Sequence, residues 1–310
     1  MKIQIMKKLL IAGASGFLGW NLCQEAKSEW AVWGTYWVHP VQIPGVRLLP
    51  VDLREEQEIA AMFALVQPDA VILTAAASQP NFCQERPQES HAINVQAACH
   101  IAQMCAQERI QCVFTSTDLV FNGLHPPYRE TDAVCPVSIY GEQKVMAELE
   151  MLDRYPQTAV CRMPLMFGDG GPASKSFVQP MLQTLKQGTD LALFTDEFRT
   201  PVSATTAAQG LLLALQINYQ GILHLGGRES VSRYEFFRLL LQVLFGEHPS
   251  PLPGKIKQIR QQDVKMAAPR PPDVSLNSGL AFALGYNPPP LRAEFEALRE
   301  VFLKDIGWDI

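Results

Sequence analysis

The sequence predicts an α/β fold, a doubly wound parallel sheet with a smaller, discontinuous α/β part. Two observations predict it. From Lys8 to Leu149, short apolar runs alternate with segments of helical periodicity, which is the rhythm of strands and crossover helices in a parallel sheet. After a further strand-like run, Ala159–Arg162, this rhythm degrades and proline-rich segments interrupt the chain. We therefore expect one domain over residues 1–165 and a second part over residues 166–310, whose segments partly return to the first.

Composition places the chain among globular proteins. Its 310 residues are 47% hydrophobic and 18% charged, and this length is ample for a buried core. The net charge of −5 leaves no basic surplus, so we expect no nucleic-acid partner. The seven cysteines form no Cys-x-x-Cys pair and their number is odd, which indicates reduced thiols, no disulfide framework and no zinc site.

The N-terminus resembles a signal peptide only superficially. Behind Met1-Lys2 and Lys7-Lys8, the apolar run Leu9–Ala12 is shorter than the ~7–15 residues of a signal core. No run reaches the roughly 18 apolar residues of a membrane span. We expect a soluble, cytoplasmic protein without a membrane partner, and a homodimer is compatible with these features.

A glycine turn follows the first predicted strand. The run Lys8–Ala12 ends in Gly13-x-x-Gly16-x-x-Gly19, and helical periodicity begins behind it. This order is typical of a dinucleotide-binding unit, where glycines allow a tight turn, close approach of the backbone to a pyrophosphate and close helix packing. Free N–H groups at the helix start would bind the phosphates; a merely structural turn is the alternative. The predicted cofactor contacts are Gly13, Ser15, Gly16, Phe17, Leu18 and Gly19.

The end of the second predicted strand bears on the choice of cofactor. An acidic residue at the end of Ala31–Val38 would bind the ribose 2′-hydroxyl and favour NAD, but Tyr36, Trp37 and His39 lie there. NADP(H) is therefore favoured. No arginine follows immediately to bind its 2′-phosphate, so NAD(H) stays open, and we interpret His39 as a surface residue.

The next two strands end in further candidate cofactor contacts. Asp52-Leu53 follow the predicted strand Val46–Val51 and precede a helix from about Glu55 to Leu65. Asp52 can reach the adenine of the cofactor or, with Arg54 behind it, simply cap that helix. Ala70–Leu73 predicts a buried fourth strand, and small residues past its carboxyl end would let a flat ligand lie against the backbone. These residues are Ala75, Ala76 and Ala77.

Hydroxyl groups follow the fifth predicted strand. Behind a predicted loop, Ser78–Glu89, and a helix from Asn94 to about Glu108, the strand Cys112–Phe114 ends in Thr115-Ser116-Thr117-Asp118. A hydroxyl cluster at the carboxyl end of a strand can hydrogen-bond a substrate carbonyl, or it can form an ordinary Ser/Thr turn.

Tyr140 and Lys144 stand four residues apart and would share one face of a helix. A nearby cation favours the phenolate and lowers the pKa of a phenol from about 10 toward the range of efficient proton transfer. Alone, so short a match is more typical of a solvated helix face. Behind a glycine turn, strand-like runs and a hydroxyl cluster, the pair instead predicts an acid–base site.

The C-terminal part is less regular. Gly168–Pro172 predicts a flexible loop, and Leu291–Lys304 predicts a final amphipathic helix. Further helices are expected at Ser176–Gln187, Ala204–Gln216 and Arg233–Phe245, with proline-rich segments at Pro249–Pro253, Pro269–Pro272 and Pro288–Pro290.

Together these motifs resemble the extended short-chain dehydrogenase/reductase superfamily, and within it the dTDP-4-dehydrorhamnose reductase branch. The glycine turn and the Tyr140/Lys144 pair are motifs of the superfamily, whereas two stretches point to the branch. These are Ser116-Thr117-Asp118-Leu119-Val120-Phe121-Asn122-Gly123 and Arg270-Pro271. The resemblance covers essentially the whole chain. It implies a Rossmann dinucleotide-binding domain followed by a mainly substrate-binding part.

The resemblance also implies hydride transfer between a nicotinamide and a hexose carbon of a nucleotide-linked 4-keto sugar. Tyr140 would protonate the carbonyl oxygen, and Lys144 would hold the nicotinamide ribose and lower the pKa of the phenol. Thr117 would hydrogen-bond the carbonyl, with Ser116 in this role if the register is off by one. A hydroxyl donor and an activated phenol on one oxygen suit carbonyl reduction.

Arg270 and Arg199 are the predicted contacts to substrate phosphate, because a guanidinium matches phosphate oxygens two at a time. Arg270 matches the Arg-Pro segment of the family, and either arginine can instead form a structural ion pair. Gln79 and Asn81 can touch the sugar, and no ligand spacing predicts a metal site.

Three alternatives follow from the same resemblance. A 4,6-dehydratase would need an Asp-Glu pair behind the threonine, but Leu119 follows Asp118, so this activity is not expected. A nucleotide-sugar epimerase would use the same Tyr/Lys pair. The Ser-Thr-Asp, Pro-Pro-Tyr-Arg-Glu and Tyr-Gly segments also resemble the methionine adenosyltransferase beta subunit, an NADP-binding regulatory protein. An intact Tyr140/Lys144 pair therefore does not by itself establish turnover.

Overall fold

The computed structural model describes residues 6–246 and 250–308, so Met1-Lys2, Pro249 and the outer ends of the two expected domains lie outside the described residues. The strands are β1 (Lys8–Ala12), β2 (Ala31–Tyr36), β3 (Arg47–Pro50), β4 (Ala70–Leu73), β5 (Gln111–Thr117), β6 (Ala159–Met163), β7 (Met166–Phe167), β8 (Leu191–Phe194), β9 (Phe198–Arg199), β10 (Val202–Ser203), β11 (Gly221–His224), β12 (Val231–Ser232) and β13 (Ile256–Ile259). The α-helices are α1 (Phe17–Ala26), α2 (Glu56–Val66), α3 (Pro80–Glu85), α4 (Pro87–His91), α5 (Ala97–Glu108), α6 (Ile139–Arg154), α7 (Val178–Lys186), α8 (Ala204–Gln216), α9 (Arg233–Phe245), α10 (Gly279–Ala283), α11 (Leu291–Ala297) and α12 (Arg299–Asp305).

Seven of these strands form one parallel sheet in the order β11-β6-β5-β4-β1-β2-β3. Because β1 pairs with β2 on one side and with β4 on the other, the direction of winding reverses between them and a crevice opens at their carboxyl ends. The predicted doubly wound parallel sheet is thereby confirmed. The edge strand β11 comes from the C-terminal part and pairs with β6; the division near residue 165 stays a prediction.

The sheet is buried on both faces. Leu9 and Ile11 of β1 belong to a core that includes residues of α1 and α8, whereas Leu10 and Ala12 belong to a second core with residues of α2, α5 and α6. A strand that is covered on both sides reads as a continuous apolar run, which is why the sequence from residue 9 to residue 12 shows no polar alternation.

The C-terminal part has a third core, built around aromatic rings. The ring centroid of Phe236 lies 5.2 Å from that of Phe167 and 4.9 Å from that of Phe295. Ser232 and Glu235 form a capping box at the start of α9, which explains why this helix begins at Arg233 as expected. Three two-stranded pairs, β10-β7, β12-β9 and β13-β8, join segments that are distant in sequence.

Two expectations about local structure are wrong. The segment Ser78–Glu89 is not a loop but contains α3 and the start of α4, because Pro80 and Pro87 occupy first helical positions, where a missing N–H costs nothing. The final helix is not continuous, since α11 and α12 are separated at Leu298. In addition, β5 extends through Thr117, so the hydroxyl residues belong to the strand itself.

Candidate functional site

A cavity of about 380 Å³ lies at the carboxyl edge of the sheet, where the crevice opens. Pockets of roughly 300–1,000 Å³ are typical of small-molecule and cofactor sites. Most of the predicted cofactor contacts line it: Gly13, Ser15, Gly16, Phe17, Leu18, Gly19, Asp52, Leu53, Ala75, Ala76, Tyr140 and Lys144. Ala77 is not among the lining residues, and its N–H and carbonyl are both hydrogen-bonded to the Asn94 side chain.

Each of the three positions in the turn requires or favours glycine for a different structural reason. Gly13 has a φ of +100°, and a Cβ there would lie 2.6 Å from the backbone N of Ala75. A Cβ at Gly19 would lie 2.1 Å from the carbonyl oxygen of Gly13, so this residue allows α1 to pack against the turn. At Gly16, an added Cβ would meet only the Gly13 oxygen at 3.3 Å, which leaves its other side open. The turn therefore presents bare backbone to the cavity.

The start of α1 is suited to an anion. Gly16 is the N-cap residue, has extended backbone and makes no side-chain cap, and the first turn contains no acidic residue. The N–H groups at a helix start carry partial positive charge and remain available for phosphate oxygens. With the open face of Gly16, these residues fit the pyrophosphate of a dinucleotide.

Asp52 does not cap α2, because Glu55 is the N-cap residue of that helix. Its carboxylate instead accepts hydrogen bonds from the backbone N of Arg54 at 3.0 Å and from the Arg54 guanidinium, and both residues line the cavity. These bonds from Arg54 lower the pKa of Asp52. A contact between Asp52 and adenine stays a prediction. The place of Arg54 in the cavity wall was not predicted, because Arg54 follows β3 in the sequence and not β2.

Tyr140 and Thr117 come together at the start of α6. Ser138 caps this helix, and a Cβ at Gly141 would lie 2.3 Å from the carbonyl oxygen of Leu119, so the helix starts directly against the turn behind β5. The Thr117 hydroxyl donates a hydrogen bond to Oδ1 of Asp118 at 3.2 Å. It also acts to lower the pKa of the nearby Tyr140 phenol, but burial raises that pKa more strongly. The phenol is therefore protonated at neutral pH and has a proton to donate.

Lys144 is fully buried one turn further along α6. Its ammonium donates a hydrogen bond to the Thr115 carbonyl at 2.8 Å and lies 4.5 Å from the centroid of the Phe114 ring. Burial lowers the pKa of Lys144 to about 8, while the negative charge of Glu148 and the thiol of Cys83 act to raise it. The expectation that Lys144 lowers the pKa of Tyr140 is wrong for this arrangement, because the ammonium points at the strand and burial dominates the phenol.

A row of polar side chains beside the cavity was also missed. Ser116, Arg162 and His224 are register neighbours on β5, β6 and β11. Ser116 donates a hydrogen bond to Glu148 of α6, and Arg162 donates to both oxygens of that carboxylate, at 3.0 Å and 2.8 Å. Burial and the charge of Arg162 lower the pKa of His224 to about 3, so the imidazole is neutral. These contacts depend on strand order, which spacing along the chain does not reveal.

The two predicted phosphate contacts differ in their surroundings. Arg199 is buried: its Nε lies 3.5 Å from Oδ2 of Asp118, and its Nη2 lies 3.4 Å from Oε1 of Glu197. Glu197 also binds Arg233 at 2.9 Å. Burial raises the pKa of Asp118 to about 6, and the charge of Arg199 acts to lower it. The guanidinium of Arg199 is thus largely engaged within the protein.

Arg270 is only half-buried and lies beside the same cluster. Its guanidinium donates to the Ala268 carbonyl at 2.9 Å and to Oδ1 of Asn81 at 3.0 Å, and its charge helps to lower the pKa of Glu197. Asn81, which the sequence offered as a sugar contact, is therefore a direct neighbour of the predicted phosphate contact.

Within residues 6–246 and 250–308, no group of three or more His, Cys, Asp or Glu side chains is placed to hold a metal ion. In the same residues, no helix combines the length and the apolar character that a membrane crossing requires.

Comparisons with known proteins agree with this geometry. The family model described as the RmlD substrate binding domain matches residues 6–302. The chain is 27% identical over 297 residues to the "Probable low-salt glycan biosynthesis reductase Agl14" of Haloferax volcanii, which covers 94% of this chain and 97% of that protein. It is 27% identical over 236 residues to "Methionine adenosyltransferase 2 subunit beta" of Danio rerio, covering 74% of this chain and 71% of that protein.

A solved structure has the same fold. The dTDP-4-dehydrorhamnose reductase from Bacillus anthracis, crystallised in complex with NADP, superposes with a TM-score of 0.83 at 19% identity and covers 95% of this chain and 99% of that one. The family model spans nearly every described residue, including the glycine turn, Thr117, Tyr140 and Lys144. The chain therefore belongs to the family defined by the RmlD substrate binding domain.

Proposed function

We propose that the chain is an NAD(P)H-dependent reductase of a nucleotide-linked 4-keto sugar. The observation that carries this proposal is the protonated phenol of Tyr140, which lines a cavity whose other wall is the glycine turn and which lies near the Thr117 hydroxyl. Carbonyl reduction needs a hydrogen-bond donor and an acid on one oxygen, next to a bound hydride donor. The similarity to Agl14, which is named a glycan biosynthesis reductase, supports the same class of substrate.

In this proposal the cofactor supplies the hydride when bound, and the protein supplies orientation and the proton. The Thr117 hydroxyl holds the sugar carbonyl oxygen, and Tyr140 Oη transfers its proton to that oxygen. The Thr117 hydroxyl has a single proton, so in this step it donates to the sugar oxygen and not to the phenolate that remains on Tyr140. The charged Lys144, one turn beyond Tyr140 on the same helix, would hold the nicotinamide ribose.

A cluster of arginine residues is the evidence for a substrate that carries a diphosphate. Arg199, Arg233 and Arg270 surround Glu197, whose pKa all three act to lower, and Asp118 is the second acid of this cluster. Arg199 and Arg233 are paired with carboxylates, whereas Arg270 has no ion-pair partner among the described residues, which leaves its charge for phosphate oxygens. Because Arg199 is buried, Arg270 is the contact that we assign to the substrate, and Arg199 positions its neighbours.

The cofactor in this proposal is NADP(H) in preference to NAD(H). No carboxylate stands at the end of β2 to bind a ribose 2′-hydroxyl, since Tyr36 and Trp37 occupy that part of the cavity wall. The Bacillus anthracis protein, which was crystallised with NADP, provides fold-level support.

A regulatory role is the second candidate. The Danio rerio relative is named a methionine adenosyltransferase subunit, and it aligns with three quarters of this chain, 74%. On this reading the Rossmann domain would bind its cofactor without turnover. A dehydratase stays unsupported, because Leu119 follows Asp118 and the Asp118 carboxyl group is buried beside Arg199.

The test is to incubate the purified full chain with NADPH and a panel of 4-keto nucleotide sugars and to follow the absorbance of the reduced nicotinamide. Oxidation with one or more sugars supports the reductase, and epimerisation of a nucleotide sugar without net oxidation would support the epimerase. Tight cofactor binding without turnover, together with co-purification of a methionine adenosyltransferase, would contradict the reductase and favour the regulatory subunit.

A further inference from the structure

Trp37 and Arg54 meet at one end of the cavity. Trp37 directly follows β2, at the place where a carboxylate would select NAD, and 54% of its surface is exposed. Arg54 arrives from behind the neighbouring strand β3. Its guanidinium carbon lies 4.2 Å from the centroid of a Trp37 ring, and both residues line the cavity. An arginine therefore stands at the end of β2, although none follows that strand in sequence.

The guanidinium of Arg54 is fixed from a second side. Its Nε bonds to Oδ1 and Oδ2 of Asp52 at 2.9 Å and 3.1 Å, and its Nη2 bonds to Oδ2 at 2.5 Å. A carboxylate on one edge and an indole on one face leave the guanidinium little freedom to turn. No hydrogen bond of its Nη1 is found within residues 6–246 and 250–308, and 30% of the side chain is exposed. The Arg54 guanidinium is therefore held in place while the N–H groups of its Nη1 stay available to a ligand.

The same contacts remove a competing mode of recognition. An acidic group near the ribose would favour the free 2′-hydroxyl of NAD. The only carboxylate at this end of the described cavity wall belongs to Asp52, and both of its oxygens already accept hydrogen bonds from Arg54. An ion pair this exposed contributes little to stability, so stability alone is a weak reason for the arrangement.

We propose that Arg54, stacked on Trp37 and held by Asp52, binds the 2′-phosphate of the adenosine and so makes the chain prefer NADP(H) to NAD(H). The inference rests on the proposed function in one respect only, namely that the cavity binds a nicotinamide dinucleotide. A guanidinium can donate two parallel hydrogen bonds to the oxygens of one phosphate, and stacking on an aromatic ring fixes the plane of the guanidinium. Trp37 and Asp52 act as positioning residues for Arg54.

The chain contains a matched control. Arg47 on β3 stacks on Trp33 of β2, with its guanidinium carbon 5.0 Å from the ring centroid, and these two residues are register partners at the same edge of the sheet. Neither residue lines the cavity. Arg47→Gln thus removes the same charge and a contact of the same kind, arginine on tryptophan, without changing the proposed phosphate site.

The experiment measures binding by calorimetry to the full chain, with NADP⁺, NAD⁺, adenosine 2′,5′-bisphosphate and adenosine 5′-monophosphate as probes. We expect the wild type to bind the two 2′-phosphorylated probes more tightly than their counterparts. Arg54→Gln should weaken binding of these two probes by about ten- to a hundredfold, the range expected for lost hydrogen bonds to a charged group. Binding of NAD⁺ and of the monophosphate should change by less than about twofold. Arg47→Gln should leave all four affinities unchanged.

A second, more conservative variant separates a loss of phosphate binding from a loss of folding. Arg54→Lys retains the charge without the fork, so it should give an intermediate loss for the 2′-phosphorylated probes. Equal affinity of the wild type for NADP⁺ and NAD⁺, or equal losses for both in Arg54→Gln, would overturn the inference. Selective NADP⁺ binding that depends on Arg54, without reduction of any keto sugar, would uphold the inference and contradict the proposed reductase. Failure to bind either dinucleotide would overturn both.

Discussion

The Lys144 ammonium donates a hydrogen bond of 2.8 Å to the carbonyl of Thr115, and this contact ties α6 to the strand that carries Thr117. The phenol of Tyr140 lies one turn earlier on the helix, and the close approach of Gly141 to the Leu119 carbonyl seats this helix start against the turn behind Thr117. These two contacts therefore set the distance between the proposed proton donor and the proposed carbonyl ligand. The first two predictions concern these contacts.

Replacing Tyr140 by Phe should remove the proton donor while keeping the ring. We expect turnover with a 4-keto nucleotide sugar to fall by roughly 10²–10⁴-fold, which is the usual contribution of a general acid. Cofactor affinity should stay nearly unchanged, because the phenol oxygen is the only atom lost. Steady-state kinetics and calorimetry measure the two effects. Tyr155→Phe is the control, since Tyr155 follows the same helix and its phenol donates to Oε1 of Gln157, away from the cavity lining. Unchanged turnover in Tyr140→Phe would rule out the assignment of the proton donor.

The pH dependence of the reaction should report on Lys144. Burial favours the neutral amine, so the pKa of Lys144 lies at about 8, below its ordinary value of 10.5. The ammonium is therefore present well below pH 8 and is lost as the pH rises through that value, and kcat/KM should decline over the same range. In Lys144→Arg, whose guanidinium stays protonated to a pH above ~12, this alkaline decline should disappear from the residual activity. An identical decline in both proteins would assign it to another group.

The row of polar residues beside the cavity should matter for stability. Glu148→Ala leaves the buried Arg162 without its carboxylate partner, and we expect a loss of about 3–5 kcal/mol in the free energy of unfolding. Glu150→Ala, two residues along the same helix, breaks an exposed pair with Arg154 and should cost less than about 1 kcal/mol. Urea unfolding measures both. Similar losses in the two variants would contradict the difference in burial on which this prediction depends.

Alanine substitutions at two glycines of the turn should affect different properties, namely stability at Gly19 and dinucleotide affinity at Gly16. Gly19→Ala places a Cβ 2.1 Å from the Gly13 oxygen, so the helix must shift and stability should fall by about 1–3 kcal/mol. Gly16→Ala meets only that oxygen at 3.3 Å, so the fold should tolerate it while dinucleotide affinity decreases. Thermal unfolding and calorimetric titration separate the two effects. A loss of affinity at Gly16 that is no larger than its loss of stability would argue against close approach of a phosphate.

The features that could be predicted from the sequence are those that depend on residues close together along the chain. The strands around the glycine turn, the start of α9 at Arg233 and the placement of Tyr140 and Lys144 on one helix all follow from local periodicity and capping. The contact of Arg54 with Trp37 and the pairing of Glu148 with Arg162 could not be predicted in this way, because each joins residues that only the order of strands brings together. The direction of the Lys144 ammonium was missed for another reason. Spacing identifies the shared helix face, but the nearest acceptor on β5 decides where the side chain points.

The edge strand β11 has a consequence for how the chain is made. The strand spans Gly221–His224, yet it pairs with β6 and puts His224 beside Arg162 at one edge of the main sheet. A nascent chain that ended after β6 would leave the flank of that strand unpaired, which exposes backbone donors and acceptors to association with other chains. Synthesis must therefore proceed past His224 before the seventh strand of the sheet is in place. A fragment that stops near residue 165 would lack the strand that covers this flank of β6.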